Sequence, residues 1–231
     1  MAAASHRLIA SAAASAGRLV AAYSRAVVTP ASAEIIAEAP VPRAASVWIS
    51  WHEGNLIALA LHRQVTGRNA MAFVPPGLSG AAMGGWLEGL KVTPIPLAAD
   101  ARRGLALRQM ESALASGNDV LIAVDGPRGP RHSIAPGAMW LAHAMDVEIR
   151  PVGCAASPSL RLPRWDRMLV PLPGARIAVA IGASLWLRSS HQYSGAAPAS
   201  IAAALNILTG RAQDAARAEH GLRTREALPW R

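Results

Sequence analysis

The stretch DVLIAVDGPRGPRHSIAPG, residues 119–137, decides how the rest of the chain is read. Its first six residues form a short apolar run of the kind that becomes a buried strand. The run stops at Asp125 and Gly126, and turn-forming prolines and glycines then hold Arg128 and Arg131 on a stiff loop. A helical segment follows over PGAMWLAHAM (136–145), and a second strand-like run over VEIRPVGCAA (147–156).

The same alternation extends in both directions. Upstream, ASVWISW (45–51), NAMAFVP (69–75) and KVTPIPL read as strands. Helices are expected over EGNLIALALHRQV (53–65), SGAAMGGWLEGL (79–90) and RRGLALRQMESALASG (102–117), the last stopped by Gly117. Downstream, a loop rich in Pro and Arg precedes the strand RIAVAIG (176–182), and RSSHQYSGAAPAS leads into a closing helix over 199–219. Strands alternating with helices give an α/β fold: a mainly parallel central sheet flanked by helices, with further helices at the N- and C-termini. The expected organisation is an N-terminal helical segment (1–42), one α/β domain (43–220) and a tail (221–231).

Composition narrows the function. Hydrophobic residues make up 52% of 231, enough for a sizeable core. The net charge of +9 suits an acidic partner or surface. Its arginines are scattered, without interleaved Phe or Tyr platforms or a nucleic-acid-binding motif, so an anionic membrane is favoured as partner and nucleic acid is not expected. Cys154 is the single cysteine, which excludes an intrachain disulfide and a Cys-based zinc site; in IRPVGCAAS it reads as a buried structural thiol. His62, His132 and His143 show no ligand spacing, and no metal is implied.

Residues 1–28 contain no uncharged run long enough to span a bilayer, and Arg18 and Arg25 interrupt any secretory signal. Arg7, Arg18 and Arg25 are spaced by 11 and 7 residues, within about 20° of one helix face. Leu8 and Leu19, and Ile9 and Val20, repeat at 11. Two readings stay open: a helix lying in the membrane interface with snorkelling arginines, or an Ala-rich helix packed on the domain with a solvated basic face.

In a parallel sheet the ligand site lies beyond the carboxyl ends of the strands. His52 follows VWISW there, Asp125 follows DVLIAV, and a third loop, AADARRG (98–104), follows TPIPL; the three are expected to meet on one edge. Histidine supplies a base near neutral pKa, and a guanidinium matches phosphate oxygens. Pro127, Gly129 and Pro130 would pre-place Arg128. The alternatives are a capping or core His52, an Arg128 that simply pairs with Asp125, and a solvated helix start at Arg102 and Arg103. Ser79 in PPGLSGA reads as a helix cap or as part of a pocket, and Trp165-Asp166 as a structural corner.

WHEGNLIALALHR, then AADARRGLALRQMESALASGNDVLIAVDGPRGPRHSIAPG, then EIRPVGCAAS and RWDRMLVPLP resemble, in order and spacing, the lysophospholipid acyltransferase superfamily. The likeness is greatest to a little-characterised bacterial branch, a domain of unknown function related to lipid A acyltransferases, and covers roughly residues 45–210. The resemblance implies acyl transfer from a thioester, acyl-CoA or acyl carrier protein, to a hydroxyl or amine of a lysophospholipid or related lipid acceptor. No bound cofactor is implied. His52 would match the catalytic histidine, Asp125-Gly126-Pro127-Arg128 the acceptor-binding block, Arg103 the arginine of the second block and Pro151 the proline of the fourth. Asn55 and Ser79 join them as candidate substrate-binding residues, and the resemblance implies that Trp165-Asp166 borders the pocket. The implied location is peripheral, on the cytoplasmic side of the inner membrane.

The chain departs from the pattern at one position. The superfamily has an acid five residues after its histidine, and here that residue is Ile57. A histidine without an orienting carboxylate loses tautomer control. Glu53 is adjacent in sequence and does not face His52 on a helix, so Asp125 is expected to orient the imidazole. Three functions follow: an acyltransferase with His52 as general base and no covalent acyl-enzyme, a catalytically inactive lipid- or acyl-carrier-binding protein on the same fold, or a phosphate-ligand enzyme such as a nucleotide-sugar transferase using the arginine loop.

Overall fold

The computed structural model describes residues 2–97, 103–126, 128–134, 148–185 and 196–218. Pro127, Arg102, the helix expected over 136–145, most of the linker to the closing helix and the tail from 221 lie outside them. Five α-helices are described: α1 (Ala2–Val27), α2 (Asn55–Thr66), α3 (Gly77–Gly89), α4 (Arg103–Ala115) and α5 (Ala196–Arg217). Seven strands, β1 (Ala33–Ala37), β2 (Val47–Ser50), β3 (Ala70–Val74), β4 (Val92–Pro96), β5 (Asp119–Ala123), β6 (Ile149–Arg161) and β7 (Leu169–Ile181), form one sheet in the order β1-β7-β6-β2-β5-β3-β4.

The sheet is mainly parallel, as the alternating pattern predicts. β6, β2, β5, β3 and β4 run together; β7 is antiparallel to β6, and β1 is parallel to β7. Side chains alternate across it. Trp48 of β2 joins a core with residues of α1, α2 and α3, while Val47 and Ile49 join Met110, Leu114 and Leu205 of α4 and α5.

Two features of the sheet differ from the sequence reading. β1 falls within the N-terminal segment (1–42) expected to be helical, where its five residues bond to β7. The strands expected over 147–156 and 176–182 belong to a much longer hairpin, and the Pro- and Arg-rich stretch between them forms its outer end. The register shifts between Ser157 and Ser159, so Pro158 sits at an irregularity where a missing N–H breaks no ladder bond. Because β6 runs with the parallel strands, the β6–β7 turn, residues 162–168, lies at their carboxyl edge.

α1 packs closely on α3. A Cβ at Gly17 would come within 1.8 Å of the Ala82 carbonyl oxygen, and one at Gly85 within 2.0 Å of that of Ala14. Leu8, Ile9, Leu19 and Val20 are exposed, with Arg7 and Arg18 beside them. Arg25 instead donates to the Gly89 carbonyl at the end of α3, a favourable place for a cation. Among the described residues, no helix is long and apolar enough to cross a membrane.

Candidate active site

β2 and β5 lie side by side with Ser50 opposite Ala123, so the residues that follow them emerge together at the carboxyl edge. A 3₁₀ turn, His52–Gly54, carries His52 out of β2 into α2. Its Gly54 passes over β6 so closely that a Cβ would sit 3.1 Å from that of Cys154. The backbone N–H of His52 donates to Oδ1 of Asp125 (2.8 Å), and that of His132 to Oδ2 (3.1 Å). Asp125 is buried and thus pins the turn bearing His52 to both ends of its own loop.

This arrangement corrects the expected role of Asp125. Its two oxygens are engaged by backbone amides, and neither faces the imidazole. The carboxylate at the ring is Asp166, in the β6–β7 turn: Oδ2 lies 3.0 Å from Nδ1 of His52. Asp166 is 0% exposed and the His52 side chain 15%. Sequence reading saw a structural corner at Trp165-Asp166, which the resemblance set at the border of the pocket, and gave it no role toward His52. WDRML offers no periodicity that would mark a partner for a histidine more than a hundred residues away.

The ring is held on two further sides. A Cβ at Gly126 would stand 2.8 Å from Cδ2 and 3.4 Å from Nε2 of His52, so the glycine gives the ring its room. Trp165 lies at a ring-centroid distance of 5.2 Å from His52, tilted by 56°. Trp165 also explains Gly129: a Cβ there would be 2.8 Å from its Cε3, and the glycine has a φ of +75°. The loop after β5 and the hairpin turn therefore meet around the imidazole.

A second acid cross-links the same two loops. Glu53, 3% exposed, accepts from Nε (3.0 Å) and Nη2 of Arg131 and from Nη1 of Arg161 (2.9 Å), with Nε2 of His132 3.5 Å from its other oxygen. Buried charge is tolerated because it is paired on several sides. His132 in turn stacks on Trp51, 4.8 Å between centroids, and the Trp51 indole donates to Asn206 of α5 (3.0 Å).

The remaining candidates are placed as follows. Asn55 is buried at the start of α2, accepting from Ser50 (3.2 Å). Arg128 is exposed on the loop after Asp125 and, among the described residues, pairs with none, so the expected alternative of an Asp125 ion pair is not formed. Arg103 begins α4. Ser79 is not a helix cap: the N-cap of α3 is Pro76, and Ser79 is an exposed residue of its first turn. Pro151 lies within β6, paired with Ile49 of β2.

Cys154 is a buried free thiol behind this turn. Burial, with the charge of Glu53 added, pushes its pKa up to about 12. A thiolate is therefore scarce at pH 8, and a disulfide reagent should leave the native protein unmodified while titrating one equivalent in denaturant. Rapid reaction of the native protein would contradict the buried, protonated state.

No family model matches the chain. It is 26% identical over 141 residues to the uncharacterized protein RP090 of Rickettsia prowazekii (strain Madrid E), across 61% of this chain and 64% of that protein. The chain thus matches less than two thirds of that relative's length. Among solved structures, the 1-acyl-sn-glycerophosphate acyltransferase PlsC from Thermotoga maritima superposes with a TM-score of 0.46 at 12% identity, covering 81% of this chain and 74% of that one.

Proposed function

We propose that the chain is an acyltransferase that moves an acyl group from a thioester to a hydroxyl or amine of a lipid acceptor, with His52 as general base. The observation that carries this reading is the state of His52: partly exposed at the carboxyl edge of the sheet, Nδ1 against a buried carboxylate, and Nε2 beside a glycine. With Nδ1 carrying the proton, Nε2 has a lone pair free to accept one. The acceptor hydroxyl loses its proton to Nε2 as its oxygen attacks the thioester carbonyl. The tetrahedral intermediate then expels the thiolate, which takes the proton from the imidazolium, giving ester and free thiol. Arg128, exposed and unpaired among the described residues, would meet an anionic headgroup.

The donor would be acyl-CoA or acyl carrier protein, and both are acidic enough to favour a strongly basic chain. The exposed Leu8, Ile9, Leu19 and Val20 beside Arg7 and Arg18 support peripheral binding to an anionic lipid surface, on the cytoplasmic face of the inner membrane in this proposal.

Free thiol is the readout that tests the reaction. Acyl-CoA and acyl carrier protein thioesters are offered with a panel of lysophospholipids on anionic vesicles. Release that depends on acceptor is expected. Release without acceptor would replace transfer by hydrolysis, and no release with any pair, together with retained vesicle binding, would leave a lipid-binding protein.

A further inference from the structure

We propose that Asp166 is the positioning residue of His52, supplied from the β6–β7 turn in place of the acid that the acyltransferase pattern carries on the following helix. This inference rests on His52 acting as a base. It concerns which group controls that base.

Among the described residues, three acids lie close enough in the chain or in space to orient the ring, and two are otherwise engaged. Asp125 has both oxygens on backbone amides. Glu53 is held by Arg131 and Arg161. Ile57, at the position of the missing acid, is 0% exposed within the apolar core formed with α1 and α3, where a carboxylate would be buried among aliphatic side chains.

Asp166 differs from the other two. Its Oδ1 accepts the backbone N–H of Met168 (3.3 Å), with Nε of Arg164 3.7 Å away, and this holds the carboxyl group in place. Its Oδ2 is buried, faces Nδ1 at 3.0 Å and has no aligned hydrogen-bond donor; Nδ1 is buried and equally unsatisfied. A buried, unsatisfied acceptor aimed at a buried, unsatisfied ring nitrogen is costly unless they share a proton. At 3.0 Å the separation is already that of a hydrogen bond, and only the angle would have to change. The proton then resides on Nδ1, Nε2 is the base, and the carboxylate stabilises the imidazolium that forms.

The consequence is topological. Base and orienter sit on different elements, so the pair exists only when the hairpin turn is docked on the loop after β5. Gly129 against Trp165 and Glu53 between Arg131 and Arg161 are the contacts that dock it.

The test reads the tautomer directly. In protein labelled with ¹⁵N-histidine, the His52 signals are assigned by their loss in His52→Gln, at a pH where the ring is neutral. In the native protein the proton is expected on Nδ1; a proton on Nε2 would overturn the proposal whatever any variant does. Asp166→Asn, nearly isosteric, is expected to move the proton to Nε2. It should lower kcat on the order of 10³-fold with little change in KM, and Asp166→Glu should restore part of it. A tautomer and kcat unchanged in Asp166→Asn would also sink it. The outcomes separate the two readings: an Asp166-dependent tautomer without thiol release keeps the positioning and removes the acyltransferase, whereas His52-dependent release indifferent to Asp166 does the reverse.

Discussion

His52→Ala is expected to lower acceptor-dependent thiol release by about 10²–10⁴-fold, the range that a positioned general base contributes. The loss should fall on kcat, because the imidazole acts on the proton in flight and adds little to ground-state binding. Folding should survive, since the ring is partly exposed and the turn that carries it is anchored through its backbone N–H on Asp125. Gly126→Ala gives the complementary result without touching the histidine. Its added methyl would stand 2.8 Å from Cδ2, closer than contact allows, so the ring must turn away from Asp166 or the loop must shift. A displacement of the order of 1 Å at a reacting group costs about 100-fold. Turnover in Gly126→Ala at the native rate would mean that the ring is not confined as described. Turnover in His52→Ala at the native rate would remove the histidine from the reaction.

Asp119→Asn is expected to lower stability by about 3–5 kcal/mol, the cost of breaking a buried charge cluster by removing one partner. Asp119, 0% exposed at the start of β5, accepts the backbone N–H of Ser46 (2.8 Å) on one oxygen. The other oxygen meets Nε2 of His62 (2.9 Å) and Nε of Arg68 (3.0 Å). It thereby ties α2 and the segments entering β2 and β3 to β5, at the end of the sheet opposite His52. Burial would raise its pKa, but the hydrogen bond and charge of His62, the Ser46 amide and Arg68 outweigh burial and hold it below 3.8. A carboxyl depressed on folding contributes its full stabilisation above the unfolded value, and loses it as pH falls through the folded one. Urea unfolding of both proteins should therefore show a gap that is constant from pH 7 to about 5 and narrows below about pH 4. A gap that persists undiminished at pH 3 would assign the loss to packing rather than charge.

The elements of the fold were largely legible because each buried run is short and continuous. VWIS, AMAFV and DVLIA are largely buried, and short apolar runs of four or five residues bounded by turn signals are too short for a helix and suit a buried strand. β1 and the outer hairpin were not legible. AEIIA has only Ile35 and Ile36 as bulky apolar residues and does not stand out from its alanine-rich surroundings, and it is a strand because β7 offers it an edge. SPSLRLPR reads as loop by its prolines, yet antiparallel pairing with β7 carries it as strand past Pro158.

The same division holds for the site. The sequence by itself placed His52 and Asp125 at the carboxyl edge, since strand ends are legible locally and strands alternating with helices imply a parallel sheet. It also marked Gly129, with the prolines around it, as fixing the conformation of the loop. It could not assign partners. Asp125 looked like the orienting acid and became a backbone anchor, while Asp166 looked like a corner at the pocket's border and became the carboxylate facing the imidazole. A carboxylate's role depends on which donors reach its two oxygens. Those donors come from β2, from the loop after β5 and from a turn more than a hundred residues away, so their meeting is a property of the docked hairpin and of no single stretch of chain.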